Sequence, residues 1–325
     1  MKNRWWILLL LIYCARTEAF SDSYDFTVDK KNSGDFTTVQ EAIDAVPHLR
    51  KIETKIFIKN GVYQEKLMLP STKTNITLVG EDVRQTIFTY DDYASKKNIF
   101  GEEMGTSGSA SFYIYGDGFK AENITFQNSS GPVGQAVAVR VDGDKVMFNN
   151  CRFLGFQDTL YPHGEESRQY YKDCYIEGTT DFIFGWSTVI FEDCEIFSKA
   201  GGYYITAAST LQETPYGFVF VNCSLTGDAP ENSVYFGRPW RPFAQTVFIK
   251  CEVGAHIKSD GWHNWNKPDA EKTSFYGEYQ SKGPGSNPDA RVKWSHQLND
   301  EALQNYSLQK IFNDWIPNKE SVLNF

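Results

Sequence analysis

The chain has 325 residues, 41% hydrophobic and 22% charged, enough ordinary globular material for one large core or two small ones. Its formal net charge of −9 argues against a nucleic-acid binder and against a general affinity for anionic polymers. No segment approaches the roughly 20 consecutive apolar residues of a membrane-spanning helix.

The N-terminus opens with Lys2 and Arg4, runs through an apolar stretch over 5–13 and reaches Thr17-Glu18-Ala19, a cleavage-like pattern. Residues 1–19 are therefore predicted to be a signal peptide and residues 20–325 a single mature domain, secreted or periplasmic. Lipid anchoring at Cys14 is a minor alternative, because bulky Tyr13 stands where a lipoprotein signal carries a small residue. Cleavage would remove three positive charges (Lys2, Arg4, Arg16) and one negative (Glu18), leaving the mature chain at −11.

Thr38-Val39-Gln40-Glu41 is a capping box. Apolar Val39, Ala42, Ile43 and Val46 follow at helical spacing, and Pro47 stops the pattern, which predicts a short helix. Residues 56–58 and 76–79 read as strands, and 90–105, polar and without period, as a loop. Six segments then share one shape, alternate apolar residues around a central slot: 119–126, 146–153, 169–176 (with polar Gln169 at its first position), 189–196, 218–225 and 246–253. Ile124 holds the central slot in the first, and Cys151, Cys174, Cys194, Cys223 and Cys251 hold it in the others, at spacings of 27, 23, 20, 29 and 28 residues. Period-two alternation marks each segment as a strand, and recurrence at this interval marks a solenoid with one such strand per turn. The predicted fold is all-β, a right-handed parallel β-helix, with the helix at 39–46 capping its N-terminal end. The tail beyond residue 262, with helical patterns over 298–312, is predicted to pack along the side and close the C-terminal end. The cysteines should stack as a buried column of free thiols, since no Cys-x-x-Cys pair suggests a metal.

Asp158 lies seven residues after Cys151, and Asp181 seven after Cys174. Stacked cysteines would put the two carboxyls at one azimuth on neighbouring coils, about 4.8 Å apart in strand spacing, where both cannot ionise freely. Gln157 precedes Asp158, and Gln135 lies one coil earlier; amides so placed suit a developing oxyanion.

The stretches 61–65, 135–140, 155–161, 181–185 and 237–240, in that order, resemble the successive signatures of pectin methylesterases, and the likeness extends to 34–40 and 261–285, nearly the whole mature chain. Val139 and Phe236 depart from residues common in the family at positions that carry no chemistry. The resemblance implies a monomeric hydrolase of methyl-esterified homogalacturonan, with no metal or cofactor. Asp181 would be the nucleophile, Asp158 the general acid and then base, Gln135 and Gln157 the oxyanion donors, and Arg238 the partner of Asp181. Trp240, Phe184, Tyr161 and Thr106 would contact the sugar chain.

Rival readings fit less well. An inverting glycosidase needs its carboxyls roughly 6.5–9.5 Å apart, wider than adjacent coils provide. A lyase would want a calcium-binding acidic cluster near Arg238. A serine esterase would want a Gly-x-Ser-x-Gly, and His163 and His263 pair with no obvious Ser. A noncatalytic carbohydrate-binding β-helix would have lost one of the five residues named above.

Overall fold

The computed structural model describes residues 23–321 and Leu323; the predicted signal peptide and Cys14 lie outside them. Strands wind into three parallel sheets of 11, 7 and 8 strands, so a typical turn contributes one strand to each. One such turn is Val146–Asn149, Arg152–Leu154 and Leu160–Pro162, after which Arg168–Lys172 begins the next. The chain is a parallel β-helix, as predicted, but each repeated segment is not one strand. It is two short strands meeting at a corner.

The residue before the central slot makes that corner. Asn123, Asn150, Asp173, Asp193, Asn222 and Lys250 all have φ between 48° and 57°. Asn and Asp tolerate this left-handed conformation better than other non-glycine residues. Apolar residues on both sides of the bend still face inward, so the alternation reads as continuous in sequence. Register across the corner matches the repeat spacing: Asn149 pairs with Lys172 before it and Arg152 with Tyr175 after it, which puts Cys151 over Cys174.

All five of these cysteines are buried and free. Each Sγ donates to a carbonyl of the preceding coil, at 3.3–3.7 Å, Cys223 to Phe191 and Cys251 to Phe220 among them. Beside the column, Phe148, Tyr171, Phe191, Phe220 and Phe248 stack with successive centroids 4.5–4.9 Å apart. Burial pushes the thiols of Cys151, Cys194 and Cys251 well up, so they remain protonated and unreactive. Thiol reagent should label the native mature protein slowly and reach about five thiols per chain after denaturation without reductant; a stoichiometry near one would mean that four had paired.

At the N-terminal end, helix Val39–Ala45 buries Val39, Ala42 and Ile43. The Thr38 side chain accepts from Glu41 N–H, and the carboxylate of Glu65 accepts from Val39 and Gln40 N–H at 3.0 Å each. Val46, ahead of Pro47, is extended and ends the helix. The tail lies along the outside of the 11-stranded sheet: Tyr306, Leu308, Ile311 and Phe312 cover Tyr170, Ile190, Val219 and Val247. Val292 and Trp294 pack against the main core at the C-terminal end, near the buried pair Arg291–Glu278. Among the described residues no helix is long and apolar enough to cross a membrane.

Candidate active site

The seven-stranded sheet carries a second apolar layer on its outer face, formed by Ala110, Tyr113, Val137, Tyr161, Phe184 and Ala207 with Trp240 and Trp265 against it. A cleft of about 490 Å3 opens over this layer, and Gln135, Gln157, Asp158, Asp181 and Arg238 all line it. Successive coils bring them together. Gln135 and Gln157 form a parallel bridge. Leu160 pairs with Ile183, so Asp158, two residues earlier, lies beside Asp181.

Backbone geometry aims both carboxyls outward. Asp158 and Asp181 have φ of 65° and 51°, left-handed values that take each side chain out of the ordinary strand alternation. Asp181 also sits within a bulge, since Thr180 pairs with Tyr204 but Ile183 with Thr206, three residues facing two. Gly237, just before Arg238, lets its strand lie close against Tyr204–Ala208 of the preceding coil: a Cβ there would fall 2.0 Å from Thr206 Oγ1.

The carboxyls are chemically unequal. Arg238 grips Asp181 with both arms, Nε to Oδ1 at 2.9 Å and Nη2 to Oδ2 at 2.6 Å. Burial pushes the Asp181 carboxyl above the ordinary range, and these charge-assisted bonds oppose the rise. Burial drives Asp158 well up, the negative charge of Asp181 adds to the effect, and the more distant Arg238 and the Gln157 amide only partly offset it. The first proton to be lost from the pair is therefore that of Asp181.

A carboxyl whose folded pKa is raised favours folding below the unfolded value near 3.9, and that advantage is lost as pH rises toward the folded value. Asp158→Asn is permanently neutral and suits the left-handed backbone. Its Tm should exceed that of the parent at neutral pH, with the difference vanishing toward pH 3; an equal or lower Tm at pH 7 would contradict the buried-carboxyl account.

The structure places Trp240, Phe184, Tyr161 and Thr106 in the cleft lining as well. Tyr161 stacks on Phe184 with centroids 4.0 Å apart, and Trp240 lies 5.9 Å from Phe184. Phe184 is thus both packed and cleft-facing. Tyr161, pushed up to about 12 chiefly by burial, keeps its hydroxyl proton. Two important residues have no periodic signal. Tyr204 and Trp265 sandwich the Arg238 guanidinium, 3.9 and 3.6 Å from their ring centroids, and hold its fork in plane. Trp265 enters from the tail, where the repeat has faded, so spacing could not locate it. Neither histidine singled out in sequence lines the cleft: behind it, His163 bonds Asp142 at 2.7 Å and packs on Tyr161, and His263 packs against Tyr204 and Tyr235.

The pectinesterase family model matches residues 25–314. Pectinesterase 31 of Arabidopsis thaliana is 41% identical over 281 residues, covering 84% of this chain and 87% of its own. Probable pectinesterase/pectinesterase inhibitor 64 of the same plant is 39% identical, and the chain spans half of its length. Among solved structures, the carrot pectin methylesterase superposes with a TM-score of 0.82 at 34% identity, covering 90% of this chain and 94% of the carrot chain. A pectin methylesterase crystallised in complex with a hexasaccharide gives 0.81 at 30%, covering 91% and 99%. With the family match spanning nearly every described residue and the fold reproduced, this chain belongs to the pectinesterase family.

Proposed function

We propose that the protein hydrolyses methyl esters of galacturonate residues in pectin, releasing methanol and leaving de-esterified pectin, through an aspartate nucleophile and an acyl-enzyme intermediate. One observation carries the mechanism: of two buried carboxyls on adjacent coils, only Asp181 is held by a bidentate guanidinium. That asymmetry assigns the roles of two otherwise identical groups. Asp181, ionised, attacks the ester carbonyl. Gln135 and Gln157 donate to the oxyanion, and collapse expels methoxide, which takes its proton from Asp158 and leaves as methanol. An anhydride between Asp181 and the galacturonate acyl group remains. Asp158, now a carboxylate, takes a proton from water as the hydroxide attacks the galacturonate carbonyl; Asp181 is released as carboxylate and the product as an acid that ionises in solvent.

The aromatic layer of Tyr161, Phe184 and Trp240 offers faces to pyranose rings, and Thr106 adds a polar contact in the same cleft lining. Asp181 repels a free carboxylate at the cleavage position, which favours the neutral ester there. The family match beginning at residue 25 fits a leader at 1–19, and we read 20–325 as one exported domain acting as a monomer on the polymer. Anchoring at Cys14 is disfavoured by Tyr13 before it. The test is methanol release from highly methylated pectin beside acetate release from a simple acetyl ester. The reading predicts abundant methanol and little acetate; acetate without methanol would overturn it.

A further inference from the structure

We infer that Lys199 is a positioning residue for Gln157 and Asp158, holding the turn that carries both from outside the cleft; the inference rests on the catalytic roles proposed above for those two residues. Lys199 follows strand Glu195–Ser198, two coils beyond strand Arg152–Leu154, which leads into that turn. Its stem crosses the intervening coil. Nζ donates to Glu177 Oε1 at 3.0 Å and to the Gly155 carbonyl at 3.3 Å, and it lies 3.8 Å from the centroid of the Phe156 ring. One ammonium therefore touches three groups on two other coils, and two of the three belong to the residues just ahead of Gln157.

The anchor is itself fixed. Tyr175 hydroxyl donates to Glu177 Oε2 at 2.9 Å, so the carboxylate that meets Lys199 is held on its far side. The Phe156 carbonyl, one peptide further on, accepts from Thr179 N–H of the next coil at 2.9 Å and from the Thr159 hydroxyl of its own turn at 3.2 Å. The side chains of Lys199 and Glu177 are only 24% and 18% exposed, which reduces screening of the ion pair and of the cation over the ring.

The turn requires such restraint. Asp158 adopts φ 65°, a conformation an aspartate leaves readily when its flanking peptides are free. Beyond Gln157 the backbone is fixed on both sides, Ala136 N–H donating to the Gln157 carbonyl at 3.1 Å and Asp158 N–H to the Thr180 carbonyl at 3.2 Å, whereas on the near side the Gly155 carbonyl is met by the Lys199 ammonium. A tilt of peptides 155 and 156 would swing the oxyanion donor and the acid together, and displacements of about 1 Å at reacting groups can lower rates by as much as 10²-fold. Lys199 does not line the cleft, so it acts through the turn and not by touching the sugar chain.

The test compares kcat, KM and Tm for the full mature chain, Lys199→Met, Lys199→Arg, Gln157→Ala and the Gln157→Ala/Lys199→Met double variant, with methylated pectin as substrate. Lys199→Met keeps the stem and removes the ammonium. It should lower kcat on the order of 10-fold with KM within about twofold. Lys199→Arg should recover most of the loss, and the Met substitution should have a smaller effect in the Gln157→Ala background, where one of the positioned groups is already gone. Should Lys199→Met fold poorly, Glu177→Gln removes the ionic anchor in place and should lower kcat about threefold. A purely structural staple would lower Tm in Lys199→Met and leave kcat unchanged, or give the same fold-loss in both backgrounds; either result overturns the inference. If Gln157→Ala alone left kcat intact, the catalytic reading would fail first, and with it this one.

Discussion

Asp181→Ala should abolish methanol release while leaving the fold and pectin binding nearly intact. The carboxylate is the sole proposed bond-forming group, and removing such a nucleophile has cost on the order of 10⁶-fold in kcat in a hydrolase studied by substitution. The β-helix should tolerate the change because Asp181 sits on the outer face of its sheet, with Phe182 and Ile183 supplying the buried packing beside it. Alanine also leaves Arg238 without its anion, but that guanidinium stays sandwiched between Tyr204 and Trp265. Circular dichroism matching the parent, with binding of short methylated oligomers preserved within a few-fold, would separate loss of chemistry from loss of structure. A folded variant that still turned over near the parental rate would require another nucleophile.

Gln157→Ala is expected to lower kcat on the order of 10²-fold or more with little change in KM, the behaviour of a donor whose bond strengthens only as the oxyanion forms. Gln157 amide also donates to Asp158 and holds that carboxyl lower than burial alone would. Its loss should raise the Asp158 value further. If the alkaline fall of the pH profile reports deprotonation of the acid, it should therefore move to higher pH in this variant. Arg238→Lys acts on the other limb. A lysine cannot reproduce two parallel bonds to Asp181, so the carboxyl should rise and the acid limb should also move to higher pH, with activity severely reduced at its optimum. A rise in KM alone for Gln157→Ala would recast it as a ground-state binder.

Much of this arrangement was legible because a β-helix converts spacing into position. Cys151 and Cys174, 23 residues apart, fixed the coil register, and the same offset carries Asp158 onto Asp181. The corner within each repeat was not legible as a corner. Inward apolar residues on both arms preserve alternation, and only the left-handed Asn, Asp or Lys before each central residue betrays the bend. The same conformational preference, recurring at Asp158 and Asp181, gives those aspartates a backbone role that a reading confined to charge overlooks. Trp265 and Tyr204 escaped for opposite reasons. Trp265 comes from a tail without period, and Tyr204 lies in a strand whose residues all look like packing until Arg238 is laid across its ring. Glu65 capping the distant helix Val39–Ala45 was likewise invisible, because a capping box names its partner three residues away and not 26.

The acyl-enzyme is the centre of this account, and a partitioning experiment reaches it most directly. Hydroxylamine added during turnover should compete with water for the anhydride at Asp181, giving polymer-bound hydroxamate alongside carboxylate. Methyl-esterified and ethyl-esterified galacturonan would form one common intermediate once the alcohol has left. Both substrates should give the same hydroxamate-to-carboxylate ratio at a given hydroxylamine concentration, whatever their relative rates. A ratio that changes with the departing alcohol would mean that water attacks the ester itself, and would contradict a covalent role for Asp181.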